Sequence, residues 1–169
     1  MNDKKKERVD RAEKEAAARR SKAIRSMGHC LGRSDVMRLH HNGLVNEMLV
    51  EGAEFTEAKK LRFAAYVCFW FAGLAAVVER YQELVNDKTI MGSKKVSDLL
   101  TADFLDLLKP FRNAVAHCSN HDDDRVLKRL ELPDKIPDHA AEVAAALREY
   151  FSQEEPSLYE NSAISSSAV

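Results

Sequence analysis

The sequence predicts an all-α protein, and three observations carry that expectation. Glycine and proline are scarce, with 6 and 4 among 169 residues, so the chain lacks the punctuation that β-hairpins need. Apolar residues recur at three- and four-residue spacing, and no stretch alternates as a half-buried strand would. Ser, Thr or Asp residues stand just ahead of several periodic stretches, where a helix needs a side-chain acceptor for its first free amides. A chain of this length forms one domain with tails and buries roughly 70 % of its unfolded surface. The net charge of −1 excludes a uniformly basic nucleic-acid binder while leaving room for a local patch. Cys30, Cys68 and Cys118 are odd in number and widely spaced, which points to a reducing compartment rather than a disulfide framework. No apolar stretch follows the N-terminal charges as in a signal peptide, so a cytoplasmic location is expected.

Taken in order, residues 1–25 hold ten Lys or Arg against five acidic residues, a net +5 that leaves −6 on the remainder. The composition favours helix but offers almost no apolar face, so residues 1–33 read as a charged, basic helical extension. Its functional reading is an arm that meets RNA or a partner; its plain reading is a solvated helix. Ser34-Asp35 is expected to cap a helix over about 35–51, with Val36, Leu39, Leu44 and Met48 facing inward and Gly52 ending it. His40 and His41 are adjacent and point apart, so they read as surface or packing residues. Thr56 is expected to open the longest element, running to about Val85. Its middle, residues 63–78, is 16 uncharged residues. A membrane span usually needs ~20 apolar residues, so this run reads as the central helix of a bundle and no membrane is expected.

A loop over 86–95 is followed by a short helix at 96–100, and Thr101 then caps a helix with Phe104, Leu105, Leu107 and Leu108 apolar. Pro110 cannot donate to residue 106, so the helix either kinks there or restarts, and a restart would put Arg112 and Asn113 near a helix N-terminus. Further on, a polar turn at 118–124, a helix at about 124–131 and a helix from Asp138 to about Phe151 are expected, the last with Val143, Leu147 and Phe151 at helical spacing. Residues 34–151 form the bundle domain of this reading, and residues 152–169 a disordered Ser-rich tail.

Within this frame the stretch 110–117, Pro-Phe-Arg-Asn-Ala-Val-Ala-His, concentrates the chemistry. At about 100° per residue, Asn113 and His117 lie about 40° apart on one helix face, and the long Arg112 stem can bring its guanidinium round to them. A planar cation for phosphate oxygens, an amide and an imidazole able to move a proton near neutrality are a reasonable set for holding a phosphodiester. Glu79, just past the apolar run, reads as a partner for an arginine or as an ordinary surface carboxylate. The structural alternative pairs Arg112 with a carboxylate such as Glu79 and leaves Asn113 and His117 bonded to backbone. A metal site is the weaker reading: His117 and His121 are four apart, but zinc motifs show clearer spacing, and no metal or cofactor is expected. No nucleophile elbow or phosphate-binding glycine loop is present.

Arg112, Asn113 and His117 match the Arg, polar, three residues, His signature of the HEPN superfamily, and here the chain resembles that family. The surroundings match as well: Leu107-Leu108-Lys109 and Phe111 before the motif, and a long apolar helix upstream ending Val77-Val78-Glu79. The likeness covers about residues 35–150 and is similar to a group of small bacterial HEPN-type proteins, including those of mobile elements. It implies an up-and-down bundle of four to five helices, a homodimer that joins two motifs, and a metal-independent endoribonuclease of toxin–antitoxin, phage-defence or RNA-processing type. Catalysis would then fall to Arg112, Asn113 and His117, with RNA and an antitoxin protein as partners. Several toxin members carry a Tyr two residues after the His; Ser119 stands there in this chain. Non-catalytic members serve as dimerisation or interaction modules, which is the second function the resemblance implies.

Overall fold

The computed structural model describes residues 3–50, 52, 54, 56–117 and 135–158, with side chains described at 6–113, apart from 51, 53 and 55, and at 136–158. These residues form an all-α bundle of five helices with no strand among them. The helices are α1 (Asp3–Leu49), α2 (Glu57–Asn86), α3 (Lys94–Leu99), α4 (Ala102–His117) and α5 (Lys135–Glu154). The expected polar turn at 118–124, the helix at 124–131 and most of the C-terminal tail lie outside the described residues.

The N-terminal charged stretch and the expected helix at 35–51 are one element of 47 residues, about 70 Å long. Ser34 therefore caps nothing. It sits inside α1, buried, and its hydroxyl donates to the Trp70 carbonyl oxygen of α2 at 2.8 Å. Opposite it, a Cβ added to Gly73 would fall 2.9 Å from the Ser34 Cβ, so the two helices approach at a point where only glycine fits. Burial along α1 begins within the stretch read as an extension, at Ile24, Met27 and Leu31. This stripe sets the helical phase and carries on through Ser34 to Leu44. Val36 and Leu39 fall outside that phase and are exposed, contrary to the sequence expectation. Gly52, with φ +65, turns the chain after α1.

Helix α2 begins as expected: Thr56 caps it by accepting from the Lys59 amide. It is 30 residues long, so α1 and not α2 is the longest element. Helix α2 is long and apolar enough to cross a membrane, but here it is the central helix, packed on one flank by α1 and on the other by α4. Trp70, Phe71, Leu74, Val77, Val78, Tyr81 and Leu84 are all buried within the bundle. Its C-terminus closes with the Thr89 amide bonded to the Leu84 carbonyl and the Lys88 amide to that of Val85, with Lys88 in the left-handed region at φ 59. His40 stacks on Tyr66, and His41 lies against Phe63 and Trp70, so both histidines pack between α1 and α2.

Helix α5 buries Val143, Leu147 and Phe151 at the predicted spacing and packs on α1, α2 and α3. It starts at Lys135, three residues before Asp138, so that Asp138 lies in its first turn, where a carboxylate suits the free amides. Polar ties fix its edges. Arg148 and Arg38 both engage Asp35, Arg20 engages Glu154, and the Tyr150 hydroxyl donates to the Met91 carbonyl at 2.7 Å.

Candidate functional site

Thr101 opens α4 by accepting from the Phe104 amide, and Phe104, Leu108 and Phe111 form its buried stripe. Phe111 is fully buried and its ring lies against that of Phe71, centroids 4.9 Å apart. This anchor fixes the rotation of α4 immediately before the motif. Arg112 and Asn113 follow it by about 100° and 200° and are both exposed.

Pro110 is carried inside α4, which runs unbroken from Ala102 to His117. The restart considered from the sequence does not occur. Arg112 and Asn113 therefore stand in the second half of a helix, and free amides of a helix N-terminus are not available to an anion there. What remains for anion binding is side-chain chemistry.

Arg112 meets Glu79 of α2, its Nη1 donating to Oε1 at 2.5 Å. Both side chains are well exposed, Arg112 by half and Glu79 by more than a third. The sequence reading thus names both members of the pair, and the partner it offers for Arg112 in the structural alternative is the one observed. Exposed ion pairs are worth about 0–1 kcal/mol, because water screens them and two long side chains lose freedom. Glu79 therefore orients the guanidinium without locking it, and a pair of oxygens sharing a negative charge, as in a carboxylate or a phosphodiester, can take its place at small cost. Asn113 lies beside it on the outer surface. His117 is the last residue of α4, one turn beyond Asn113, and its side chain lies outside the described part of the structure, as does all of Ser119.

A largely apolar groove of about 280 Å³ adjoins the pair between α2 and α4. Ala75, Val78 and Gln82 line one wall and Ala102, Leu105 and Lys109 the other, with Glu79 at its edge. Sequence reasoning named Val78, Glu79, Leu105 and Lys109 without bringing them together as a groove, and it did not single out Ala75, Gln82 or Ala102. The usable signal was the helical spacing of Ala102, Leu105, Lys109 and Arg112, which shares one side of α4. Lys109 is itself tied to Asp106 at 2.5 Å, so the fixed charges around the groove balance in pairs.

Among the described residues no three His, Cys, Asp or Glu side chains gather as metal ligands would. The His117–His121 spacing falls on undescribed side chains. Burial pushes the Cys30 and Cys68 thiols above their ordinary range, so neither is primed as a nucleophile. The arrangement can hold an anionic group at a cation with an amide beside it, on an exposed helix face next to an apolar groove. No family model, curated protein or solved structure matches the chain.

Proposed function

We propose that the protein is a metal-independent endoribonuclease of HEPN type, acting as a cytoplasmic homodimer in a toxin, defence or RNA-processing role. One observation carries the reading: Arg112 and Asn113 project from α4 into solvent one turn before His117, held outward by the buried Phe111. Polar residues serving only the core would point the other way.

In the proposed reaction Arg112 exchanges Glu79 for the oxygens of the scissile phosphate. His117 takes the proton of the ribose 2′-OH, the 2′-oxygen bonds to phosphorus, and the bond from phosphorus to the 5′-oxygen breaks. The leaving oxygen receives its proton from the second His117 of the dimer, and the products are a 2′,3′-cyclic phosphate and a 5′-hydroxyl. Asn113, about 40° from His117 round the helix, orients the imidazole. Loss of a general acid–base typically costs ~10²–10⁴ in rate.

The test is cleavage of a broad RNA panel in excess EDTA by the wild type and His117→Ala, with analysis of the product ends. Cyclic-phosphate ends formed by the wild type and reduced by ~10²-fold or more in the variant meet the expectation. The Glu79–Arg112 bond favours a second reading, a non-catalytic interaction module in which the pair ties α2 to α4. That reading takes over if neither protein cuts RNA and the dimer dissociates in the variant.

A further inference from the structure

From residue 16 to residue 34 the chain contains no Asp or Glu, while Arg19, Arg20, Lys22, Arg25 and Arg33 are basic and His29 stands among them. This acid-free run is the middle of α1, where the helix enters the bundle. Lys22, Arg25, His29 and Arg33 each stand two residues from Ile24, Met27 or Leu31, hence about 160° round the helix from the buried stripe. All four are exposed, and they line, with Ser26 and Cys30, an open depression of about 730 Å³ along α1. From Lys22 to Arg33 the row is about 16 Å long.

Charge pairing sets this row apart from many of the described surface cations. Lys6, Arg8, Lys14, Arg19, Arg62, Lys88 and Lys94 are also exposed without an ion pair among the described residues, and what marks the row is that its unpaired cations fall within one acid-free run. Arg11, Arg20, Arg38, Lys59, Arg80, Lys95, Arg112 and Arg148 each meet a carboxylate. Lys22, Arg25 and Arg33 meet none among the described residues. Glu155, whose carboxylate feels Arg25 at longer range, already accepts hydrogen bonds from the Ser21 and Ser157 hydroxyls at 2.6 and 2.7 Å. A straight row of unneutralised cations on a rigid helix concentrates positive potential along a line, which suits a polymer of regularly spaced anions. The depression is open to solvent and encloses no base, so binding through phosphate contacts there is independent of sequence.

We propose that the outer face of α1 between Lys22 and Arg33 is a binding track for the sugar–phosphate backbone of single-stranded RNA, the substrate of the ribonuclease proposed above, on which this inference rests. The track belongs to the bundle, and the protruding N-terminal part of α1 is dispensable for it.

The full-length protein is titrated against a labelled 2′-O-methyl oligouridine by fluorescence anisotropy over a range of salt. This probe has no free 2′-OH, so binding is read apart from cleavage. Replacing Lys22, Arg25 and Arg33 together by Gln should reduce the slope of log affinity against log salt by about 2, from three lost phosphate contacts on a single strand. The wild type then loses about 20-fold more affinity than the variant between ~50 and ~200 mM salt. A charge-preserving K22R/R25K/R33K protein should keep the wild-type slope, as should Gln at Lys6, Arg8 and Lys14. The inference is overturned if the wild type does not bind, if the triple Gln variant binds with the wild-type slope, or if the Lys6/Arg8/Lys14 set carries the slope. It is equally overturned if oligoglutamate of equal charge displaces the probe as well as RNA does, which assigns the track to an acidic protein. Binding without cleavage of unmodified RNA rejects the enzyme and keeps the track; cleavage unaffected by the triple variant does the reverse.

Discussion

Helix α2 has two flanks, and they are built differently. Against α1 the approach is so close that Gly73 admits no Cβ, and Ser34, the one buried polar side chain among the described residues, has its hydroxyl satisfied by the Trp70 carbonyl. Against α4 the helices meet at Phe71 and Phe111, then part to leave the groove whose edge carries Glu79 and Arg112. The first flank spends its residues on fixing geometry, and the second leaves polar groups in water where a ligand can reach them. A site of this kind needs both, because side chains on an exposed helix face are positioned only as well as the helix beneath them is anchored.

The comparison can be broken at each flank. Phe111→Ala removes the fully buried ring that fixes α4, and it should cost about 3–5 kcal/mol in chemical denaturation. For the ribonuclease proposed above it should also lower RNA cleavage, since the rotation of Arg112 is no longer held. Gly73→Ala forces a Cβ against Ser34 and should cost about 1–3 kcal/mol, since both clashing atoms lie next to backbone. Pairing it with Ser34→Gly should recover part of that loss, a coupling readable as a double-mutant cycle. Glu79→Gln, by contrast, should change stability by no more than about 1 kcal/mol, because the pair it breaks is exposed.

The smallest effect is one of pH. Cys30 lies on the α1 flank, its sulfur 4.0 Å from the Gly73 carbonyl oxygen, and burial raises its thiol pKa against a weaker opposing pull from Arg33. A raised pKa keeps the thiol protonated at neutral pH, so alkylation of Cys30 and of Cys68 should accelerate only at pH values above the ordinary thiol range. Opening the α1 flank with Gly73→Ala should bring the Cys30 profile down toward that of a free thiol, measured by mass spectrometry after timed alkylation.

How much of this was legible depends on how local the cause is. Thr56 and the Val143–Leu147–Phe151 stripe are readable because capping and helical spacing act within a few residues. Ser34 misleads for the opposite reason. Next to Asp35 it has the composition of a cap, yet its partner is a carbonyl 36 residues away. The continuity of α1 was hidden because its first third has no apolar face, and helix there rests on propensity and on its attachment to a packed segment. Val36 and Leu39 look like core in a helix assumed to begin at 35; the phase set by Ile24, Met27 and Leu31 turns them to solvent. Pro110 left two backbones open, and the packing of Phe104, Leu108 and Phe111 on α2 holds the continuous one. Arg112 and Asn113 stood out as polar groups beside an apolar stripe, and Glu79 as a carboxylate beyond one. The groove between them was not legible, since it is made by the spacing of two helices.

The most direct measurement compares Arg112→Ala with Glu79→Gln, recording for each the rate of RNA cleavage in EDTA and the free energy of unfolding. An active site predicts that the two separate: Arg112→Ala loses cleavage while Glu79→Gln, which frees the guanidinium, cleaves at least as fast as the wild type, and both unfold within about 1 kcal/mol of it. Two variants that lose stability or dimerisation equally, with no cleavage by any of the three proteins, would contradict the account and leave the pair as a tie between α2 and α4.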